Sequence, residues 1–568
     1  EMTAVHTSEG LADATYFLPI TAEFVESVIE KEHPDSLLIH FGGKLAYQCV
    51  LELESLGVLE QFNLQVLGTQ MPDLDKAFNR ESFVAALDEA GIPALRGIKL
   101  ACGEQNAVPA DIEYPVILRS LNSGDERAAH LCGDRAELER IIRKRFSETA
   151  CCFVEPFLGE WKEVEIELLR DAMDNCIQVC SMESLDSLGI HNGDSLVVIP
   201  AQTLSGDELE RMRTAAFQAA RRFNIIGEAT IRFALHPDTR DQLLIEIAPR
   251  LSRSTAIASK ATGYQIGYIT TRISLGFALS ETANPLTANS KFCTEPVFDC
   301  IALKMPRWDR EKFEKADPYL GTEVKAVGEA MAFGRTFPEV LQKAVRMTMP
   351  GCPGIHGHGH SFKDIKDSLR NPTDERVFAL YEAIRDGWST ERIVKHAHID
   401  PWFISQLRII ARIGEDLSSA GTEQQSEIPQ SARSTGKKLL PGKELLLAAK
   451  QAGFSDEQIA QCVGSREDKI RALRLELSIR PVSKSIDSTG GESTVRHGGL
   501  YMTYSGVSDD VKALGAGAMV LGSGPFHIGS NLEYEWCCAS ALKTIRAAGK
   551  PAIRSEERRV GKECTIQC

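Results

Sequence analysis

The 15 cysteines of this 568-residue sequence include no C-x₂-C pair, and two couples, Cys151–Cys152 and Cys537–Cys538, are directly adjacent. An odd, scattered set of that kind excludes a disulfide framework and suits the reduced thiols of a cytoplasmic protein. No run of about 18 apolar residues occurs, so no membrane-spanning helix is expected. The start carries no signal-peptide pattern. Positive charge is in deficit: 64 Lys and Arg against 79 Asp and Glu leave a net charge of −15, which argues against a nucleic-acid-binding body. The composition that remains, 43% apolar and 25% charged, is that of a soluble globular protein. The length calls for two to four domains. The chain opens at Glu1 in what reads as mid-domain, and from Ser555 it turns basic without apolar periodicity, like an appended tail. It therefore reads as a fragment.

The stretch Leu244–Gly263, LIEIAPRLSRSTAIASKATG, organises the rest. It begins as an apolar strand carrying one acid, Glu246, and an inward carboxylate there needs a cation. Pro249 ends the strand, and Arg250 and Arg253 follow. One acid and two guanidinium groups this close fit either Mg²⁺ and phosphate chemistry or a strand end with solvated arginines. The preceding run, ATIRFALHPDTRD, completes a hairpin. A turn centred near Thr239 sets Arg232 opposite Glu246 and Thr230 opposite Ala248. Cross-strand neighbours share a face, so Arg232 and Glu246 should touch.

Residues 17–70 alternate helix and strand signals, with a buried strand at Ser36–His40, a turn at Gly42–Gly43 and a strand in LQVLGT. That is α/β layering with a parallel sheet. Asn79 can cap a helix whose apolar face is Phe83, Val84 and Leu87. Arg80 at its start either reaches a phosphate or sits in solvent. A strand at Pro115–Arg119 runs into a loop with one glycine, Gly124, followed by Asp125 and Glu126, which would repel a triphosphate. Glu163, Glu165 and Glu167 alternate along one strand, as a solvated face or as ribose and metal contacts. His191 lies in a loop between Gly189 and Gly193.

The cluster Cys352, His356, His358 and His360 suggests a metal, but its glycine-rich spacing fixes no geometry. Residues 373–480 read as helical: a helix from Thr373 with Val377, Leu380 and Ile384 inward, a cap and first-turn proline at Asp400-Pro401, a linker over 418–438, and a capping box at Ser455-x-x-Gln458. FSDEQIAQCVGSREDKIRALRLEL has the outline of a helix-turn-helix, yet its second helix mixes acids with its bases. A second loose stretch covers 485–510. A strand to Gly522, then Gly524 and Gly529 and a helix, open a further α/β unit without the dinucleotide fingerprint.

Taken together, ADATYFLPI, GVLEQF, LGIHNGDS, PAQTL, SRSTAIASKATG, VGEAMAFGRTFPEVLQKA and GSGPFHIG…LEYEWCC resemble the large subunit of glutamine-hydrolysing carbamoyl-phosphate synthases, over nearly the whole chain to about Arg554. The resemblance implies an α/β fold, ATP-grasp with a partial pre-ATP-grasp domain, followed by an all-α domain. The implied divisions are 1–70 (partial pre-ATP-grasp), 71–352 (carboxyphosphate-type ATP-grasp), 353–515 (helical oligomerisation), 516–554 (start of a second synthetic half) and 555–568 (non-native tail). It further implies an ATP-dependent carbon–nitrogen ligase whose first half phosphorylates bicarbonate with ATP and Mg²⁺ or Mn²⁺. Ammonia would come from a glutaminase small subunit, and self-association would use the helical domain. The product, carbamoyl phosphate, would serve arginine or pyrimidine biosynthesis.

Carried over from the same resemblance, Arg80, Arg119 and His191 are nucleotide contacts, with Gly189 and Ile190 beside the last. Glu155 with Phe157 or Leu158 forms the adenine and hinge side, and Glu163 is the ribose contact. Glu246 is the metal carboxylate, and Arg250, followed by Arg253, meets bicarbonate and phosphate. Three departures stand out. The glycine-rich phosphate loop is replaced by SGDERAAH, the glutamine metal ligand by Arg232, and the asparagine metal ligand by Ala248. The expectation is a degenerate ATP-grasp unit in which an Arg232–Glu246 pair stands where the metal would be.

Overall fold

In the computed structural model, residues 10–555 are described except for 102–107, 110, 121–129, 146–150, 288–289, 314, 427–439, 493–494, 496–498, 523 and 530–531. The acidic loop residues Asp125 and Glu126, with Gly124, lie outside the described residues, as do 556–568.

The first α/β unit pairs β1 (Ser36–Leu38) in parallel with β2 (Gln65–Leu67). It leans on the rest of the chain through His40, a buried ring wedged against Gly68 and Gly227, whose backbone carbonyl accepts from the Leu251 N–H. Asn79 caps the helix Arg80–Glu89, its side chain accepting from the N–H groups of Glu81 and Ser82. Phe83 and Leu87 of that helix are buried.

A four-stranded antiparallel sheet follows: β3 (Ile98–Ala101), β4 (Val116–Ser120), β5 (His130–Cys132) and β6 (Cys151–Pro156), in the order β3-β6-β4-β5. The large sheet comprises β7 (Lys162–Arg170), β8 (Cys176–Ser187), β9 (Val197–Ile199), β10 (Gly227–Leu235), β11 (Gln242–Ala248), β12 (Ile301–Arg307) and β13 (Gly328–Gly334), ordered β11-β10-β7-β8-β9-β12-β13. One face of β7, β10 and β11 (Val164, Ile166, Leu168, Ile231, Phe233, Ile247) packs into a core shared with the helices Arg80–Glu89 and Gly206–Arg222. The alternate residues face the other way, which sets Glu163, Glu165, Glu167, Thr230, Arg232 and Glu246 on one surface.

The helical region begins with Ile365–Arg370, Arg376–Arg385, Thr390–Ala397 and Pro401–Ser426 and continues with Lys443–Gln451, Asp456–Val463 and Glu467–Glu476. Its core is continuous with Leu185, Val198 and Leu303 of the large sheet. Asp400 serves both parts: one oxygen accepts from the Trp402 N–H at 2.9 Å, the other from Lys162 Nζ at 2.8 Å.

Several expectations need correction. The helix expected from Thr373 starts at Arg376, although Val377, Leu380 and Ile384 are its buried face as expected. The stretch expected to be a linker from Ser418 is helical to Ser426, because no proline interrupts the helix there and one glycine, Gly421, is tolerated. The stretch 485–510 is not all loose: it contains β15 (Leu500–Thr503), which pairs antiparallel with β14 (Val482–Ser485) just before it. Only half of the Ser455 box forms. The Ser455 hydroxyl accepts from the Gln458 N–H, but the Gln458 amide donates to Gln342 Oε1 and the His356 carbonyl instead. In the helix-turn-helix outline, Arg474 is buried on Asp456 rather than offered to a nucleic acid.

The last unit is a parallel pair, β16 (Ala518–Leu521) with β17 (Ala552–Ser555), joined by the helix Leu532–Ala547.

Candidate functional site

The hairpin β10–β11 holds the register read from the sequence: Arg232 opposite Glu246 and Thr230 opposite Ala248. A bulge makes that possible. Between Arg232 and Phe233 the register slips by one, leaving Ile245 as the extra residue. The carbonyl of Ile245 then accepts from Arg80 Nη1 at 2.8 Å.

Arg232 is the hub of the polar face. Its Nη1 lies 2.9 Å from Glu246 Oε2, and its Nε lies 2.9 Å from Glu163 Oε1 and 3.1 Å from Glu165 Oε1. The register explains this: Arg232 sits opposite Glu165 on β7 and Glu246 on β11, with Glu163 two residues along. Of the two readings of the glutamate row, the solvated face is overturned. Glu163, Glu165 and Glu167 are all buried, because the loop carrying Asn192 and the helix Arg253–Thr262 lie over that face of β7 and Arg232 reaches along it.

Charge is set by these contacts. The Arg232 guanidinium holds the Glu246 carboxyl below its ordinary range. Burial pushes Glu163 up, against the pull of Arg232. Burial also pushes Glu167 up to about 8; it accepts from Thr230 Oγ1 at 2.7 Å, and Thr230 in turn meets Ser252, the cap of the helix Arg253–Thr262. Glu228 on the same strand is raised to about 7 by burial.

A raised native pKa means that the folded state holds its proton more tightly. The stabilisation is complete below the unfolded value and is lost as pH rises through the native value. Glu167→Gln is accordingly expected to flatten the decline in stability between about pH 4.5 and pH 8. At pH 8.5 it should exceed the parent by about 1–4 kcal/mol, read from urea melts at both ends of that range.

Beside Arg232, Asn192 Nδ2 donates to Glu165 Oε1 at 2.8 Å. The loop carrying Asn192 is held by Lys304 of β12, a buried ammonium that donates to the carbonyls of Asn192, Gly193 and Ser195 at 2.7, 3.3 and 2.8 Å. Burial lowers Lys304 to about 8. Sequence reading missed Lys304 and Asn192. The available signal was a lysine within the apolar run IALKM, the same kind of anomaly that drew attention to Glu246. His191 N–H donates to the Gly321 carbonyl at 2.7 Å, and its Nδ1 accepts from the Gly193 N–H at 2.9 Å. Burial lowers this imidazole to about 4, so it is neutral near pH 7.

The other expected residues gather at the neighbouring edge. Glu155 is buried between two arginines, with Arg80 Nε at 2.6 Å and Arg119 Nε at 3.0 Å. Arg80 is thus neither solvated nor presented bare to an anion; its Nη2 also donates to the Leu95 carbonyl at 2.9 Å. The Phe157 ring lies over Gly159, where any side chain would collide with it, and packs against Gly189. Gly189 N–H donates to the Gly159 carbonyl, and Ile190 is buried beside it. Leu158 turns the same segment back, its carbonyl accepting from the Trp161 N–H. Arg250 Nη1 meets the Leu251 carbonyl at 3.5 Å. The Arg253 guanidinium rests on Gly193 and borders a cavity of about 300 Å³ shared with Lys260, Glu329, Phe526 and Glu535.

The donor set does not suit a divalent cation. Of the three positions that surround one in the resemblance, one holds a guanidinium, one holds a methyl group, and the remaining carboxylate already carries that guanidinium at 2.9 Å. Among the described residues, no three His, Cys, Asp or Glu side chains are grouped so as to hold a metal. The histidines 356, 358 and 360 instead dock the preceding segment on the helix Arg376–Arg385 and its cap: His356 to Tyr381, His358 to Glu382, His360 to Glu375.

Comparison with known proteins places the chain. The family description "Carbamoyl-phosphate synthase L chain, ATP binding domain" matches residues 79–282, "Carbamoyl-phosphate synthetase large chain, oligomerisation domain" matches 329–478, and "Carbamoyl phosphate synthase preATP-grasp domain" matches 1–76 and 515–555. The arginine-specific, mitochondrial large chain of carbamoyl phosphate synthase from Schizosaccharomyces pombe is 39% identical over 97% of this chain and 46% of its own length. The human mitochondrial carbamoyl-phosphate synthase named for ammonia is 39% identical over 97% of this chain and 36% of its own. The chain thus spans less than half the length of these curated relatives. The biotin carboxylase domain of 2-oxoglutarate carboxylase from Hydrogenobacter thermophilus is similar at a TM-score of 0.48 and 15% identity, covering 70% of this chain and 91% of that one. With its α/β ATP-grasp part followed by a helical oligomerisation domain, the chain belongs to the carbamoyl-phosphate synthase large-chain family.

Proposed function

We propose that this chain is the first synthetic half of a carbamoyl-phosphate synthase large subunit in which the bicarbonate-phosphorylating site has lost its metal position. The parent protein would make carbamoyl phosphate from bicarbonate, ammonia and two ATP, with a glutaminase subunit as the ammonia source. The proposed divisions are 1–70, 71–352, 353–515 and 516–554, with self-association through the helical domain. The relatives are named mitochondrial; the free cysteines among the described residues suit any reducing compartment, the cytoplasm included. Among those residues no helix is long and apolar enough to cross a membrane.

The observation that carries the loss of the metal position is the 2.9 Å contact between Arg232 and Glu246. At about 4 Å and an effective dielectric near 20, one unit charge against another is worth roughly 4 kcal/mol. A cation built into the strand therefore outcompetes a weakly bound Mg²⁺ for the same carboxylate. Calorimetric titration of the full chain with MgATP tests this. No saturable heat below millimolar nucleotide is expected, and micromolar binding would refute it.

One observation favours a second reading. Arg232 retains 29% exposure and Glu246 49%, so the pair is open to solvent, and the guanidinium can stand over a phosphate as a substitute cation. Bicarbonate-dependent ATP hydrolysis that disappears in Arg232→Ala would select that version.

A further inference from the structure

The loop from His191 to Ser195 has its backbone groups sorted by direction. The carbonyls of Asn192, Gly193 and Ser195 converge on Lys304 Nζ, at 2.7, 3.3 and 2.8 Å. Amides turn back on His191. The N–H groups of Asp194 and Ser195 donate to its carbonyl at 2.8 and 3.2 Å, and the Gly193 N–H donates to the ring Nδ1 at 2.9 Å. Three carbonyl dipoles aimed at one place repel one another unless a cation stands there. An ammonium has three N–H donors and no acceptor, which matches three carbonyls.

The position is a costly one for a charge. Lys304 is 1% exposed on β12, and its donors go to neutral carbonyls and not to a carboxylate. An apolar side chain would fill the same place without that desolvation, so the charge is tied to the loop. Other contacts hold the loop's far side. Asp194 accepts from Trp308 Nε1 and from the N–H groups of Lys325 and Ala326. Gly193 fits closely, since a Cβ there would stand 2.7 Å from Arg253 Nη1 and 3.1 Å from His191 Nδ1.

A ring nitrogen that accepts an N–H carries no proton itself, so the proton of the uncharged imidazole is on Nε2. Arg232, Arg253 and Glu246 all bear electrostatically on this ring, which sets it within the candidate site.

We propose that Lys304 is a positioning residue for His191. By gathering three carbonyls it aims the Gly193 N–H at Nδ1 and fixes the ring as the Nε2–H tautomer, a hydrogen-bond donor to an oxygen of an anionic ligand beside Arg232 and Arg253. What that donor meets rests on the reading of this face as the ligand site; the tautomer is set by the protein alone.

The test is the ring ¹³Cδ2 resonance of His191 in the full chain labelled with ¹³C-histidine, without nucleotide or metal, assigned with His191→Gln. The parent should show the Nε2–H form alone. Lys304→Met removes the charge and should move the resonance toward that of the opposite tautomer. Lys304→Gln, which keeps two donors, should move it less. The His356 resonance, from a ring bonded to Tyr381 in the helical domain, should stay in place in both variants and so report an intact fold. A parent ring in the Nδ1–H form or in a mixture, or a His191 resonance unmoved in both variants, would overturn the proposal. Micromolar MgATP binding would overturn the lost metal position and leave the tautomer result unchanged.

Discussion

Arg232→Gln is expected to make the stability of the α/β region depend on magnesium. In the parent, Glu163, Glu165 and Glu246 share one guanidinium, and the first two are buried. Removing the cation leaves their charge uncompensated, which costs about 3–5 kcal/mol for a buried pair. The share from Glu246 is smaller, since that side chain is half exposed. The carboxamide also restores a neutral oxygen donor opposite Glu246. A divalent cation can then take the place of the guanidinium and return roughly 2.7 kcal/mol at a hundred times its dissociation constant. Thermal unfolding in EDTA and in millimolar Mg²⁺ measures both effects. The variant should melt several degrees lower in EDTA and recover with Mg²⁺, while the parent should be indifferent. A variant equally stable in both would mean that the carboxylate cluster has no memory of a metal.

The second large effect lies in the helical domain. Asp456 is fully buried and takes Lys450 Nζ at 3.0 Å on one oxygen and Arg474 Nη2 at 3.0 Å on the other, with Arg471 Nε at 3.8 Å. It joins the helices Lys443–Gln451, Asp456–Val463 and Glu467–Glu476 at one point. Asp456→Ala removes the anion that these cations share, and about 3–5 kcal/mol of stability should go with it. Urea unfolding followed by tryptophan fluorescence reads this through Trp388 and Trp402, both in the affected domain. The transition should move to lower urea with the variant, and Asp456→Asn, which keeps the acceptor oxygen, should fall between.

What could be read in advance was local. The Asn79 cap, the Asp400-Pro401 start and the Arg232–Glu246 register depend on residues within a few positions of one another or across one tight hairpin. Their physics is visible in the string. The burial of Glu163, Glu165 and Glu167 was not, because it depends on the Asn192 loop and the helix Arg253–Thr262 lying over that face of β7, and no alternation pattern reports what covers a sheet. Lys304 comes from a strand more than a hundred residues after the loop it holds. Arg80 was read as an anion contact or a solvated charge, yet it closes on Glu155 and on a carbonyl freed by a bulge. The histidine run looked like a metal motif because clustering is visible, whereas Tyr381, Glu382 and Glu375, which occupy those rings, lie on and beside a later helix.

The central claim is that a protein cation occupies the position of the metal. Titration of the full chain with Mn²⁺, followed by loss of the free-ion paramagnetic signal, tests it most directly when Glu246→Gln is run in parallel. The account predicts no site tighter than millimolar in the parent and the same curve for both proteins. A micromolar Mn²⁺ site in the parent that vanishes in Glu246→Gln would contradict it.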